Sequence, residues 1–189
     1  GHCQGVGTMS RNVNIVILCE DRQHEAFARR FLAQAGKGLR VQRVEVNPKG
    51  RGSGEQFVRA RFAKELAYYR QRQHRVEQAL VVVIDADRRG IEERVSQIDD
   101  AATEGGQERR RADERVALFI PARNIETWLA YLDGQTVNED DAYPRLERER
   151  DCQRHVEMLY EMCQHHSLRP PAPPSLEAAC AEYRDRLQA

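Results

Sequence analysis

The sequence lacks the features that mark membrane proteins and strongly basic nucleic-acid-binding proteins. None of its apolar runs approaches the roughly 20 residues that a membrane-spanning helix needs, and its first residues do not resemble a secretory signal. Lysine plus arginine and aspartate plus glutamate each number 30, so the net charge is zero and any basic surface must be local. We therefore expect a cytoplasmic protein with no membrane partner.

The sequence also lacks a Cys-x-x-Cys motif and a nucleotide-binding loop. The five cysteines are odd in number and scattered, and no two form a Cys-x-x-Cys pair. This pattern predicts reduced thiols and argues against a disulfide framework or a zinc site. No segment matches the phosphate-binding loop of ATPases, so any use of ATP would need a partner protein. Residues 1–10 are small and polar, and we expect a tag or a disordered N-terminus there, with Met9 as the native start.

Apolar segments separated by helical patterns predict an α/β fold. Residues 13–19, 79–84 and 115–121 are strongly apolar, as buried parallel strands are, whereas residues 39–46 alternate as an edge strand does. Helical periodicity between them implies crossover connections. We expect a Rossmann-like, mostly parallel sheet of about four strands with helices on both faces in residues 11–134, and a helical C-terminal extension in residues 135–189 packed on or beside it.

Acidic residues follow three of the predicted strands. They are Glu20 after the first strand, Asp85 and Asp87 after the central one, and Glu126 after the last. The carboxyl ends of parallel strands meet at one edge, where such sheets bind ligands. In an extended segment Asp85 and Asp87 would leave on the same side, and clustered carboxylates suit a hard cation such as Mg²⁺. The alternatives are that the two aspartates cap the next helix and that Glu126 complements a helix dipole.

Several cations could contact phosphate. Lys49 and Arg51 lie in the glycine-rich loop 47–54, Arg88 follows the central strand, and Arg123 follows the last one. The predicted helix 55–75 also has a basic face, formed by Arg59, Arg61, Lys64, Arg70, Arg72 and Arg75. A solvated turn and a solvated helix face remain the alternatives for these two segments.

The ordered set of motifs resembles a TOPRIM domain. The matching residues are Glu20 after VNIVILC and Asp85-Ala-Asp87-Arg-Arg-Gly90 after LVVVI, and the IETWL segment is similar to small stand-alone TOPRIM-like bacterial proteins, akin to the nuclease domain of the OLD family. The resemblance covers roughly residues 13 to 133. It implies a cytoplasmic Mg²⁺- or Mn²⁺-dependent nuclease. Glu20, Asp85 and Asp87 would be the metal ligands, and Glu126 would complete the catalytic set.

The resemblance also implies partners. Nucleic acid, with DNA favoured, is the expected substrate, and an ATPase encoded in a bacterial defence or mobile-element locus is an expected partner protein; a homodimer is left open. Two other functions stay open as well. One is a non-catalytic TOPRIM-like module that binds nucleic acid or protein, and the other is metal-dependent phosphotransfer on a nucleotide.

Overall fold

The structure is a computed structural model that describes residues 12–188 and contains a four-stranded parallel sheet. The strands are β1 (Val13–Cys19), β2 (Leu39–Val46), β3 (Gln78–Val83) and β4 (Val116–Phe119), in the spatial order β2-β1-β3-β4. The helices are α1 (Arg22–Ala33), α2 (Gly54–Arg72), α3 (Ile91–Glu104), α4 (Ile125–Leu132), α5 (Gln153–His165) and α6 (Pro174–Glu182), and α6 continues into a π-helical turn, Tyr183–Leu187. The predicted α/β class and parallel sheet are confirmed, while the expectation for residues 1–10 lies outside the described residues.

The sheet is buried on both faces because its strands are apolar at nearly every position. In β3, Val81 and Val83 pack into a core with α1, whereas Leu80 and Val82 pack into a second core beneath α2 and α3. Alternate side chains of a strand point to opposite faces, so a continuous apolar run supplies both cores at once. The edge strand β2 is only half-buried, as its alternating sequence predicts.

The C-terminal residues complete the core on the α1 face. Val156 and Leu159 of α5 and Leu176 of α6 are buried with Phe27, Phe31 and Trp128. The indole nitrogen of Trp128 donates to Ser175 Oγ at 2.8 Å. Trp128 is 1% exposed and lies in the core. Ser175 is the second residue of α6, and its hydroxyl accepts from Trp128 and donates to Glu139.

One prediction about the cysteines is wrong. Cys163 of α5 and Cys180 of α6 form a disulfide, while Cys19 and Cys152 are buried free thiols. The two bonded residues are 17 positions apart, and they meet because α5 and α6 both contribute to the same core. No helix among the described residues is long and apolar enough to cross a membrane.

Candidate metal centre

Glu20 and Asp85 are neighbours because β1 and β3 are adjacent parallel strands. Cys19 pairs with Val83 in the register, so the residues that follow each strand emerge side by side at the carboxyl edge. The Glu20 carboxylate, through Oε2, accepts a hydrogen bond from the Asp85 backbone N–H at 2.5 Å. This contact joins the two predicted ligands across 65 residues of sequence.

The third member of the cluster is His24, which the sequence did not single out. Asp21 caps α1 by accepting from the His24 N–H at 2.9 Å, and this places the imidazole in the first helical turn. The His24 ring is fully buried, and its Nε2 lies 3.0 Å from Asp85 Oδ1. One ligand atom from each of Glu20, His24 and Asp85 lies within 4.8 Å of the others, so the three could hold one metal ion.

The protonation of this cluster reflects its crowding. Burial, reinforced by the charge of Asp85, raises the pKa of Glu20 to about 7. Burial opposes a charge on His24, but the Asp85 carboxylate and its hydrogen bond outweigh burial and raise the pKa of His24 to about 10. Metal-free, the cluster thus holds protons that a divalent cation would have to displace.

Asp87 lies apart from these three ligand atoms, contrary to the expectation that it would leave on the same side as Asp85. Strand β3 ends at Val83, before either aspartate, and Asp87 has a left-handed backbone with φ 56°. Its carboxylate is 64% exposed and accepts from the buried Arg94 at 3.2 Å. Helix α3 begins after Gly90 with no side-chain cap, so capping by the two aspartates is excluded.

Arg94 connects Asp87 to the start of α2. This arginine is 1% exposed and donates to Glu55 at 2.5 Å and to Gln97 at 2.7 Å. Asp87 is therefore held by a buried guanidinium that two other residues fix in place. The charge of Asp87 still acts on the cluster, because it contributes to raising the pKa of Glu20. The charge of Asp85 in turn contributes to raising the pKa of Asp87.

Glu126 lies in the first turn of α4, close enough to the cluster for the charge of Asp85 to affect its pKa. Asn124 is the residue before the helix, and its side chain makes no capping hydrogen bond. Burial, together with the charge of Asp85, raises the pKa of Glu126. The nearest cation is Arg145, whose Nε lies 3.8 Å from Glu126 Oε1. Glu126 is thus a half-buried carboxyl that holds its proton more tightly than an exposed one.

The loop that precedes α2 packs directly against Glu20. A Cβ atom added to Gly54 would lie 2.7 Å from Glu20 Cβ and 2.8 Å from Glu20 O, so only glycine permits this approach. Lys49 and Arg51 lie in this loop, are exposed, and have no carboxylate partner in the described part of the chain. The two residues predicted to contact phosphate thus lie in the loop whose last residue, Gly54, packs against Glu20.

A shallow depression brings together the other two predicted cations. Its volume is about 440 Å³, and it is lined by Asp87, Arg88, Arg89, Arg123 and Asn124. Arg88 is exposed, whereas Arg123 donates to the carbonyl of Asp140. The Asn124 side-chain oxygen is buried and has no hydrogen-bond partner among the described residues. The depression thus combines three guanidinium groups with an unused acceptor beside Asp87.

Comparison with known proteins assigns no family. No family model matches the chain, and neither curated proteins nor solved structures include a match. Function is therefore inferred from the residues of the cluster and from their geometry.

Proposed function

We propose that the protein is a metal-dependent nuclease of the TOPRIM type that hydrolyses phosphodiester bonds in nucleic acid, with DNA as the favoured substrate. The observation that supports this most is the meeting of Glu20, His24 and Asp85, from three separate elements, at the carboxyl edge of a parallel sheet. The ordered resemblance of Glu20 and the Asp85-Ala-Asp87 motif to TOPRIM domains supports the same chemistry.

The donor set accommodates a divalent cation. Glu20 and Asp85 supply carboxylate oxygens and His24 supplies an imidazole nitrogen, and all three are held by the ends of regular elements. Carboxylates suit Mg²⁺ and Mn²⁺, whereas imidazole is a ligand for transition ions, so we expect Mn²⁺ to bind more tightly than Mg²⁺. The bound ion would lower the pKa of a coordinated water and offset charge on the phosphate.

The surrounding residues have separate roles in this proposal. Lys49 and Arg51, with Arg88 and Arg123, bind phosphate oxygens on either side of the cluster. Glu126, whose pKa is raised by burial and by Asp85, holds a proton that it can give to the leaving oxygen. Asp87 is kept at the rim by Arg94, where it can add a further carboxylate on rotation of its exposed side chain.

One observation favours the non-catalytic alternative, a TOPRIM-like binding module. Asp85 already has an ion-pair partner in His24, and Asp87 has one in Arg94. The charges of these two acids are therefore compensated without a metal ion. In that case the cluster would stabilise the carboxyl edge, and removal of Asp85 would change stability or binding but no reaction. A partner ATPase and a homodimer stay predictions.

Incubation of plasmid and oligonucleotide DNA and RNA with Mn²⁺ or Mg²⁺ tests the proposal. We expect cleavage that EDTA abolishes. Asp85→Asn should lower the rate by at least about 100-fold, because it removes the negative charge of a metal ligand. The backbone N–H that donates to Glu20 remains in this variant. Asp100→Asn, at an exposed position of α3, is the matched control and should cleave like the wild type. Metal-dependent hydrolysis of nucleotides alone would instead support phosphotransfer. No reaction on any of these substrates would overturn the proposal.

A further inference from the structure

One side of α2 has a stripe of basic and aromatic residues that the metal centre does not use. The stripe consists of Phe57, Arg61, Lys64, Tyr68 and Arg72. These positions recur every three or four residues and so share one helix face. At 1.5 Å per residue the stripe is about 22 Å long. The neighbouring positions Phe62, Leu66 and Tyr69 are buried against the sheet, so the stripe flanks the packed face of the helix.

The stripe borders a depression beside the edge strand β2. This depression has a volume of about 540 Å³, and Arg61, Lys64, Tyr68 and Arg72 line one side of it. The other side includes Gln42 and Arg43 of β2. Strand β2 pairs only with β1 among the described strands, so this side of the sheet is open.

The charge of the depression is positive. The guanidinium of Arg43 donates two hydrogen bonds to the buried Glu65, at 2.6 and 2.9 Å. Arg43 and Arg61 both form ion pairs with Glu45. These two acids therefore compensate two of the cations. Lys64 and Arg72 are exposed and have no carboxylate partner in the part of the chain that the structure describes. Two free positive charges thus lie along the same helix face, about 12 Å apart along the axis.

One aromatic ring, that of Tyr68, lies between these two cations along the helix. Tyr68 is 42% exposed, which is unusual for a large side chain beside a core, and Lys64 Nζ lies 5.9 Å from its ring centroid. The guanidinium of Arg61 lies 5.1 Å from the centroid of Phe57. Cations beside an exposed aromatic ring are a combination that binds single-stranded nucleic acid, in which phosphates meet the charges and a base stacks on the ring. An acidic protein segment would use the charges but would have no need of Tyr68.

The stripe begins three residues after Gly54, the glycine that packs on the metal centre. Helix α2 begins at Gly54, which packs against Glu20, and the stripe runs from there away from the cluster. We infer that the stripe is a binding track for one strand of nucleic acid, which positions a scissile phosphate at the metal centre. The inference rests on the proposed function for the role of the track, but the binding itself needs no metal.

Fluorescence anisotropy with a labelled single-stranded oligonucleotide of about twelve thymidines tests the track. The measurement is made in EDTA, so cleavage does not contribute. We expect Lys64→Glu/Arg72→Glu to weaken binding by about tenfold or more. The slope of log affinity against log salt should also fall by about 1.4, since a single strand contributes about 0.7 per phosphate contact.

Two further comparisons separate stacking from general charge. Tyr68→Ala should weaken binding by roughly tenfold, whereas Tyr68→Phe, which keeps the ring, should bind like the wild type. Arg109→Glu removes an exposed cation that has no carboxylate partner among the described residues, in the loop before β4, and should have little effect. Circular dichroism checks that each variant is folded.

The outcomes distinguish this inference from the proposed function. Loss of binding in the Lys64 and Tyr68 variants, with retained binding in Asp85→Asn, supports the track whether or not cleavage is found. Equal losses in Arg109→Glu, or no loss in Tyr68→Ala, would overturn it and leave only a diffuse charge effect. Absence of oligonucleotide binding by the wild type would also overturn it, and capture of an acidic peptide instead would assign the stripe to a protein partner.

Discussion

At the scale of single residues, the environment of Glu20 makes the stability of the metal-free protein depend on pH. Its carboxyl is half-buried, lies next to Asp85, and has its pKa raised to about 7 from an ordinary value of 4.5. The folded state therefore holds this proton more tightly than the unfolded state does. The resulting contribution to stability is full below pH 4.5 and is lost as pH rises through 7.

We predict that the metal-free protein loses roughly 2 to 3 kcal/mol of unfolding free energy between pH 5 and pH 8 through Glu20. His24 adds a further decline at higher pH, because its pKa is raised from 6.5 to about 10 and its contribution is lost through that value. Glu20→Gln keeps an acceptor for the Asp85 N–H but cannot ionise, so its stability should fall less than that of the wild type between pH 5 and pH 7.

Urea unfolding in EDTA at several pH values measures this difference. The Asp100→Asn variant, at an exposed site on α3, should follow the wild-type curve. A Glu20→Gln variant with the same pH dependence as the wild type would show that Glu20 is not the group that titrates.

The sequence predicts part of the centre at this scale and misses the rest for identifiable reasons. Glu20 and Asp85 follow apolar strands, and strand ends in a parallel sheet converge, so their proximity could be predicted. His24 is a single histidine in a helical segment, and the only available signal was its position four residues after Glu20. The direction of Asp87 depends on a left-handed backbone that the Asp-x-Asp pattern does not specify.

At the scale of elements, the start of α2 packs against Glu20 at the end of β1. Gly54 at the start of α2 touches Glu20 so closely that any side chain there must displace one of them. We predict that Gly54→Ala lowers the unfolding free energy by about 1–3 kcal/mol through overpacking. We also expect it to weaken metal binding at least tenfold, because the ligand carboxylate moves.

Gly38→Ala is the matched control for this change, because a Cβ there meets no atom within 4 Å. Metal titration and urea unfolding of both variants make the comparison. Unchanged metal affinity in Gly54→Ala would show that the packing of α2 on Glu20 does not position the ligand.

Element boundaries were predictable where one physical pattern dominates. The alternating edge strand 39–46 has in the structure the same bounds that its pattern predicts, and the continuous apolar runs form the buried strands. The contact between Gly54 and Glu20 joins residues 34 positions apart through tertiary packing, and no local pattern encodes it. The basic stripe of α2 is visible in the sequence, but the pairing of its Arg61 with Glu45 of β2 is decided by the fold.

At the scale of the whole molecule, the disulfide fastens the C-terminal helices to each other. Cys163 and Cys180 close a segment with a sequence separation of 17, which by chain entropy stabilises the fold by about 3 kcal/mol. We predict that dithiothreitol lowers the melting temperature of the wild type by several degrees and leaves Cys163→Ser/Cys180→Ser unchanged. Calorimetry with and without reductant measures this, and an equal response of both proteins would contradict the assignment.

Zero net charge conceals local groups of like charge. Glu20 and Asp85 meet at the carboxyl edge of the sheet, Arg88 and Arg123 lie beside Asp87, and further cations without a carboxylate partner among the described residues lie on α2 and in the loop before it. This arrangement suits a polyanion that is held by its phosphates beside a cation-binding cluster. Composition alone could not predict it, because the effect depends on which ion pairs the fold completes.

Calorimetric titration of the metal-free protein with Mn²⁺ tests the central claim most directly. We predict binding of one ion with release of protons by the wild type and by Asp100→Asn, and loss of that binding in Asp85→Asn. No binding by the wild type at millimolar Mn²⁺, or equal binding by Asp85→Asn, would contradict a metal centre at Glu20, His24 and Asp85.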